Sequence, residues 1–376
     1  MITWRIGTVV SLGAAWTGAR ELAVQTDEGP LRALAYPHLV GEPVPGERVL
    51  LNVSALARGL GTGGYALVVA RPDAVPADPD EGPGHLIKAR YTPLQTMVLG
   101  VDEQESPHHA QLADADDLGG LPVVVADLHS ALPAVIAGAR WATEALGGGP
   151  PRVVYLMTDG GALPAWFSRT VAGLRDTGWL VACITTGQAF GGDLEAVTVH
   201  SGLLAAKVVC GADLAVVTQG PGNLGTGTRW GFSGVAAGEA VNAVGVLGGR
   251  PVAALRVSGA DPRPRHLGVS HHSMTAFGRV ALMPADVVVP AGDADGDRHA
   301  LRATVRQQAS ALCAPQGRHR LVEVDVDPGL EAALAATPVR LSTMGRGLSA
   351  DPEAFIASAV AGVHAVAGLS AAPRSG

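Results

Sequence analysis

The residues in this chain that could do chemistry stand just downstream of apolar, strand-like runs. Asp127 and His129 follow Val123-Val124-Val125-Ala126, and Asp159 follows Val153 to Met157. Gln219-Gly220-Pro221-Gly222-Asn223-Leu224-Gly225-Thr226-Gly227-Thr228 follows Leu214 to Thr218. The run Val252 to Val257 carries Arg256 and leads to Arg263, Arg265, His266, His271 and His272, opposed only by Asp261. Each group suggests a different task. An Asp-x-His pair suits acid–base work or metal ligation. A glycine-rich loop with Thr226 and Thr228 lets amides and hydroxyls converge on an anion. Arginines clamp phosphate or carboxylate, and Pro262 and Pro264 stiffen the presentation of Arg263 and Arg265.

Among 27 Lys and Arg residues only Lys88 and Lys207 are lysines. A lysine amine can deprotonate or act as a compact charge where arginine cannot, so Lys88 joins Asp127 and His129 as a catalytic candidate. A divalent metal is admitted by Asp127, His129 and His271, with the doublets His108-His109 and His271-His272 available to complete a site. Adjacent strand residues face opposite ways, so both rings of a doublet serve one site only outside a strand. The pattern Gly220-x-Gly222-x-x-Gly225 matches a dinucleotide fingerprint, but more loop follows it and Glu239 comes too early for the ribose contact. A nicotinamide dinucleotide is therefore not expected. A Walker loop, a G-x-S-x-G elbow and a Cys-x-x-Cys pair are all missing from the sequence.

The elements that must position these groups alternate between strand and helix. That pattern predicts an α/β fold with a mostly parallel, doubly wound sheet, whose ligands sit outside the carboxyl ends of the strands. Asp127 and Asp159 are expected on strand ends about 5 Å apart if those strands pair. Ala131-Leu132-Pro133-Ala134 and Ala162-Leu163-Pro164-Ala165 look like the starts of two equivalent helices, with Ser130 and Gly161 at the cap positions and, in the second, Leu163, Trp166, Phe167, Val171 and Leu174 at helical spacing. Residues 1–70 alternate in short runs with Gly and Pro turns and predict a small all-β, barrel-like domain. Residues 71–84, with Pro72, Pro76, Pro79 and Pro83, read as a linker, 85–369 as the α/β ligand-binding domain, and 370–376 as a frayed tail.

Composition narrows the class. A hydrophobic fraction of 47% with 16% charged residues describes an ordered globular chain. The net charge of −7 argues against bulk binding to nucleic acid or an anionic membrane surface. No apolar stretch is clean and long enough to span a bilayer. Cys183, Cys210 and Cys313 show no paired spacing and fit reduced thiols in the cytoplasm.

The runs Ile87 to Gln95, Thr218 to Thr228, Leu267 to Ser273 and Thr343-Met344-Gly345-Arg346-Gly347 resemble those of a bacterial family known only as the domain of unknown function DUF3866. The resemblance covers nearly the whole chain and implies a bacterial cytosolic protein, with no activity, cofactor or catalytic residue attached. The residues themselves point to a small anionic metabolite bound at the carboxyl edge of the sheet, with hydrolysis or group transfer as the chemistry. A non-catalytic metabolite sensor or interaction protein is the alternative, and a homo-oligomer is left open.

Overall fold

The computed structural model of the protein describes residues 1–292, 294–315 and 317–369, so the expected tail lies outside the described residues. Among these, Trp4–Trp16 (β1), Ala19–Thr26 (β2), Gly29–Ala35 (β3), Arg48–Asn52 (β4) and Ala66–Ala70 (β5) close a barrel in the order β1-β2-β3-β5-β4. The period-2 pattern explains it: Val9, Leu22, Val24, Val49 and Leu51 are buried inside, while Val10, Ala23 and Gln25 face outward. Residues 71–84 carry no helix or strand, although Arg71 is tied back to Glu47 at 2.6 and 2.9 Å.

The α/β part is built on one parallel sheet. Its strands are Pro122–Ala126 (β6), Val153–Thr158 (β7), Ala182–Thr185 (β8), Leu194–Glu195 (β9), Leu214–Gln219 (β10), Arg250–Ala254 (β11), Asp286–Ala291 (β12) and Arg320–Asp325 (β13). They lie in the order β9-β8-β7-β10-β6-β11-β12-β13. The apolar runs at β6, β7 and β10 are buried on both faces, as a parallel sheet covered by helices requires. Leu132–Ala145 (α1), Arg169–Asp176 (α2), Val199–Val208 (α3), Ala236–Val246 (α4), Asp297–Cys313 (α5), Pro328–Ala335 (α6) and Pro352–Val366 (α7) supply the cover. α1, α2, α6 and α7 pack on one face around Leu132, Leu174, Leu330 and Phe355. α3, α4 and α5 pack on the other around Leu203, Val241 and Val305.

Two expectations are corrected here. β10 lies between β6 and β7, pairing Val217 with both Val125 and Leu156, so Asp127 and Asp159 do not stand on neighbouring strands. The second Ala-Leu-Pro-Ala stretch does not start a helix either. Pro164 precedes a single 3-10 turn, Ala165–Phe167, and α2 begins only at Arg169, where Ser168 Oγ accepts the Val171 amide at 3.0 Å. Trp166 and Phe167 thereby escape the helix stripe and pack against Tyr36 and Tyr65 of the barrel. Gly18, at φ +75°, is needed at that joint, because a Cβ there would lie 2.1 Å from the Trp166 ring.

Candidate functional site

The chain leaves β6 for α1 on one face of the sheet and leaves the adjacent β10 for α4 on the other. Loops that diverge to opposite faces open a crevice at the strand ends between them. A cleft of about 470 Å³ occupies that place. Leu128, His129 and Ser130 line it from the β6 end, Gln219 to Asn223 with Gly225 and Gly227 from the β10 end, and Arg256, Arg263, Arg265, His266 and His272 from beyond β11. Contributions from outside these loops escaped sequence reasoning, Thr170 of α2 among them. The hairpin residues Ser342, Thr343 and Met344 close one side, and Gly61 reaches in from the barrel.

Within the arginine row, Arg256 and Arg263 are held by one acid. Asp261 is buried and takes two hydrogen bonds from the Arg263 guanidinium, both 2.9 Å, and one from Arg346 at 3.2 Å. The Arg263 hydrogen bonds, more than any other contact, hold its carboxyl far below the usual range. Arg256 is nearly buried, 3.9 Å from Asp261. Arg265 is exposed, lies next to Gly227, and has no hydrogen-bond or ion-pair partner among the described residues. No carboxylate of the described residues lines the cleft.

The glycine-rich loop has already used many of its donors. The Thr226 amide bonds Gly231 O at 2.7 Å, the Leu224 amide bonds Ser233 Oγ at 3.0 Å, and the Thr226 and Thr228 hydroxyls pair at 3.1 Å. Thr226 and Thr228 therefore sit beside the cleft without lining it. Gln219 anchors the loop root: its amide donates to Asp127 O and to Asn223 Oδ1, both at 2.8 Å, while its buried Oε1 has no partner among the described residues. A Cβ on Gly161 would meet Gly220 O at 2.2 Å, so the close approach of the two loops requires glycine there.

The acid–base candidates do not converge. Asp127 is buried behind the cleft floor, in contact with a void of about 20 Å³ that it shares with Ser130, Arg256 and Thr343. Its Oδ2 has no hydrogen-bond partner among the described residues, and burial pushes the carboxyl up to about 6, against the pull of Arg256. His129 lines the cleft, but both ring nitrogens are engaged, Nδ1 with Tyr155 Oη at 3.0 Å and Nε2 with Ser168 Oγ at 2.7 Å. Burial lowers it to about 4, so it is a neutral, positioned ring near pH 7. Ser130, expected as a helix cap, instead donates to Thr343 Oγ1 at 3.0 Å and braces the hairpin.

Lys88 and Asp159 serve elsewhere. The Lys88 ammonium is buried on the carbonyls of Ala189 and Ala196, 3.0 Å each, and lies 3.5 Å from Glu195, fixing the β9 edge. Asp159 Oδ2 accepts the Gln188 amide at 2.8 Å. His109 Nδ1 bonds Asp102 O, away from the cleft. The metal set Asp127, His129 and His271 is not assembled; His271 lies instead beside His266 and His272. Desolvation lowers His266 to about 4 and His272 to about 3, with Arg256 and other cations adding to the shift.

The fold and site define a two-part protein: a closed five-stranded barrel set against a doubly wound α/β unit with an arginine-lined cleft at its carboxyl edge. The chain belongs to the DUF3866 family, described as a protein of unknown function, whose model matches residues 32–362. Neither the curated proteins nor the solved structures gave a match. No described helix is long and apolar enough to cross a membrane.

Proposed function

We propose that this cleft binds a small metabolite bearing phosphate or carboxylate, in a bacterial cytoplasmic protein. The observation that carries the reading is the lining: Arg256, Arg263 and Arg265 meet the glycine-rich loop in a cavity that no carboxylate of the described residues lines, in a chain of net charge −7. Arg263 and Arg256 are held in place by Asp261, and Arg265 has its whole donor fork to offer. The ligand's anionic end lies on Arg265 and Arg256, with Gly220 to Gly227 closing over it.

Hydrolysis or group transfer is the chemistry a carboxyl poised near 6 behind the floor would serve, relayed by a water. A non-catalytic sensor is favoured by a specific observation, the failure of Asp127, His129 and Lys88 to meet in the cleft. Thermal-shift and calorimetric titration with orthophosphate, nucleotides, sugar phosphates and dicarboxylates tests the binding itself. Anionic ligands should stabilise the chain, and Arg265→Ala should weaken them. Stabilisation only by neutral or cationic compounds would remove the reading. Turnover of a bound hit, lost in Asp127→Asn, separates the enzyme from the sensor.

A further inference from the structure

Beside the arginine row stands a cluster that anion binding does not explain. His266, His271 and His272 each offer a ring nitrogen, and these atoms all lie within 4.8 Å of one another. Two local devices bring them together. Ser270 caps the short helix His271–Thr275, accepting the His272 amide at 3.2 Å, so consecutive histidines enter a helical turn about 100° apart rather than on opposite faces of a strand. The 3-10 turn Pro264–His266 then folds His266 back, where its Nδ1 meets Ser270 Oγ at 2.8 Å. Phe232 stacks flat on His272, with centroids 3.9 Å apart, and fixes that ring.

The free nitrogens are the second observation. His271 Nε2 is buried with no hydrogen-bond partner among the described residues, an arrangement that folded proteins avoid unless something else satisfies the atom. His266, engaged through Nδ1, has Nε2 remaining. His272 keeps only a long 3.4 Å contact from its Nδ1 to Arg256.

We propose that His266, His271 and His272 bind a divalent transition-metal ion of the zinc class, with its remaining coordination positions open to the cleft. An all-imidazole donor set suits zinc, copper, nickel and iron rather than magnesium or calcium. Three protein ligands with an open position is the arrangement of catalytic rather than structural zinc. Tetrahedral ligation at about 2.1 Å needs nitrogens about 3.4 Å apart, so the rings close inward by roughly 1 Å. Ser270 is the outer partner that orients His266, and His266 and His272 both face the cleft. Arg256, Arg263 and Arg265 beside a metal repel it, so an anion in the cleft should tighten metal binding. The metal site stands on the histidines and not on the anion reading.

The test uses the full chain, without an added histidine tag, stripped with chelator. It is titrated with Co²⁺ and Zn²⁺ by calorimetry in phosphate-free buffer, with the visible spectrum of the Co²⁺ form recorded. One ion per chain and a tetrahedral cobalt spectrum are expected, with affinity lowered by more than about 100-fold in His271→Ala and His271→Gln, since losing even an outer partner of a ligand costs about 10–100-fold. His200→Ala, on the exposed face of α3, should bind normally. Circular dichroism establishes that each variant is folded. No saturable binding by the wild type overturns the proposal, as does binding that survives in a folded His266→Ala/His271→Ala protein. Orthophosphate is titrated separately into the stripped chain. Phosphate binding without metal binding removes the metal site alone, and metal binding without phosphate binding removes the anion reading alone. If His271→Ala weakens phosphate on stripped protein that takes up no metal, the histidines are anion donors and the metal site falls.

Discussion

Arg265 and Asp127 differ in what surrounds them, and so should their substitutions. Arg265 has no partner in the described chain, so its removal strands nothing. Arg265→Ala should leave the melting temperature within about 1 °C while reducing anion affinity roughly 10-fold, the weight of a charge-assisted hydrogen bond near solvent. A matched loss of stability would show that it serves the fold. Asp127 is the opposite case, because its carboxyl is raised from 3.8 to about 6 by burial, so the folded state holds a proton that the unfolded chain releases. Stability is then highest below the unfolded value and falls as pH rises from about 4 to 6, by roughly 3 kcal/mol in all. Asp127→Asn should flatten that slope and stabilise the chain near pH 7 by up to about 2 kcal/mol. Chemical denaturation across this pH range measures it, and an unchanged slope would mean the acid is not buried as described. A residue that destabilises its own fold is retained for another reason, and loss of turnover in the stabilised variant would identify it.

At the scale of elements, Lys88 is a fastener. Its ammonium satisfies two carbonyls and faces Glu195, which in turn accepts Thr185 Oγ1 at 2.6 Å and the Gly191 amide at 2.7 Å. Burial lowers the lysine and raises the glutamate, and each offsets the other's shift. Lys88→Met should cost about 3–5 kcal/mol by leaving a buried carboxylate unpaired, and adding Glu195→Gln should recover part of it. Equilibrium unfolding of the single and double variants checks this; a loss of ligand affinity without a loss of stability would restore Lys88 to the site. Its rarity drew attention to Lys88 in the sequence, but rarity carries no direction, and partners over a hundred residues away decided where it points. The strands were legible because fully buried parallel strands are plain apolar runs, as at Val123 to Ala126. Their order was not, since the insertion of β10 between β6 and β7 is a non-local pairing with no local mark. The arginines and the Gly220 loop were found together because every βα loop of a parallel sheet emerges at one edge. The run from Thr343 carried the family resemblance, but it lies far along the chain from the strand ends, and nothing local marked Ser342, Thr343 and Met344 as part of the cleft. Trp166 at helical spacing misled, because a barrel on the other side of it claims the ring.

The whole molecule turns on that ring. Small five-stranded Greek-key barrels commonly offer the β2–β3 face and the β1–β2 and β4–β5 loops to ligands. Here those features face the α/β unit: Glu21 of β2 pairs with Arg169, Gly18 of the β1–β2 turn lies against Trp166, and the β4–β5 loop sends Gly61 into the cleft. Trp16 Nε1 donates to Trp166 O at 2.6 Å, and His38 stacks on the Trp166 indole at 5.0 Å between centroids. The barrel is therefore positioned to add Gly61 to the rim of the site rather than to bind on its own. Trp166→Ala should cost about 3 kcal/mol as a half-buried indole is lost, and should loosen the barrel without unfolding the sheet. Cleavage between residues 71 and 84 by a broad-specificity protease should then accelerate, and anion affinity should fall several-fold although no arginine has changed. An unaltered cleavage rate with unaltered affinity would show that the barrel docks without help from this tryptophan and that its loop adds nothing to the cleft.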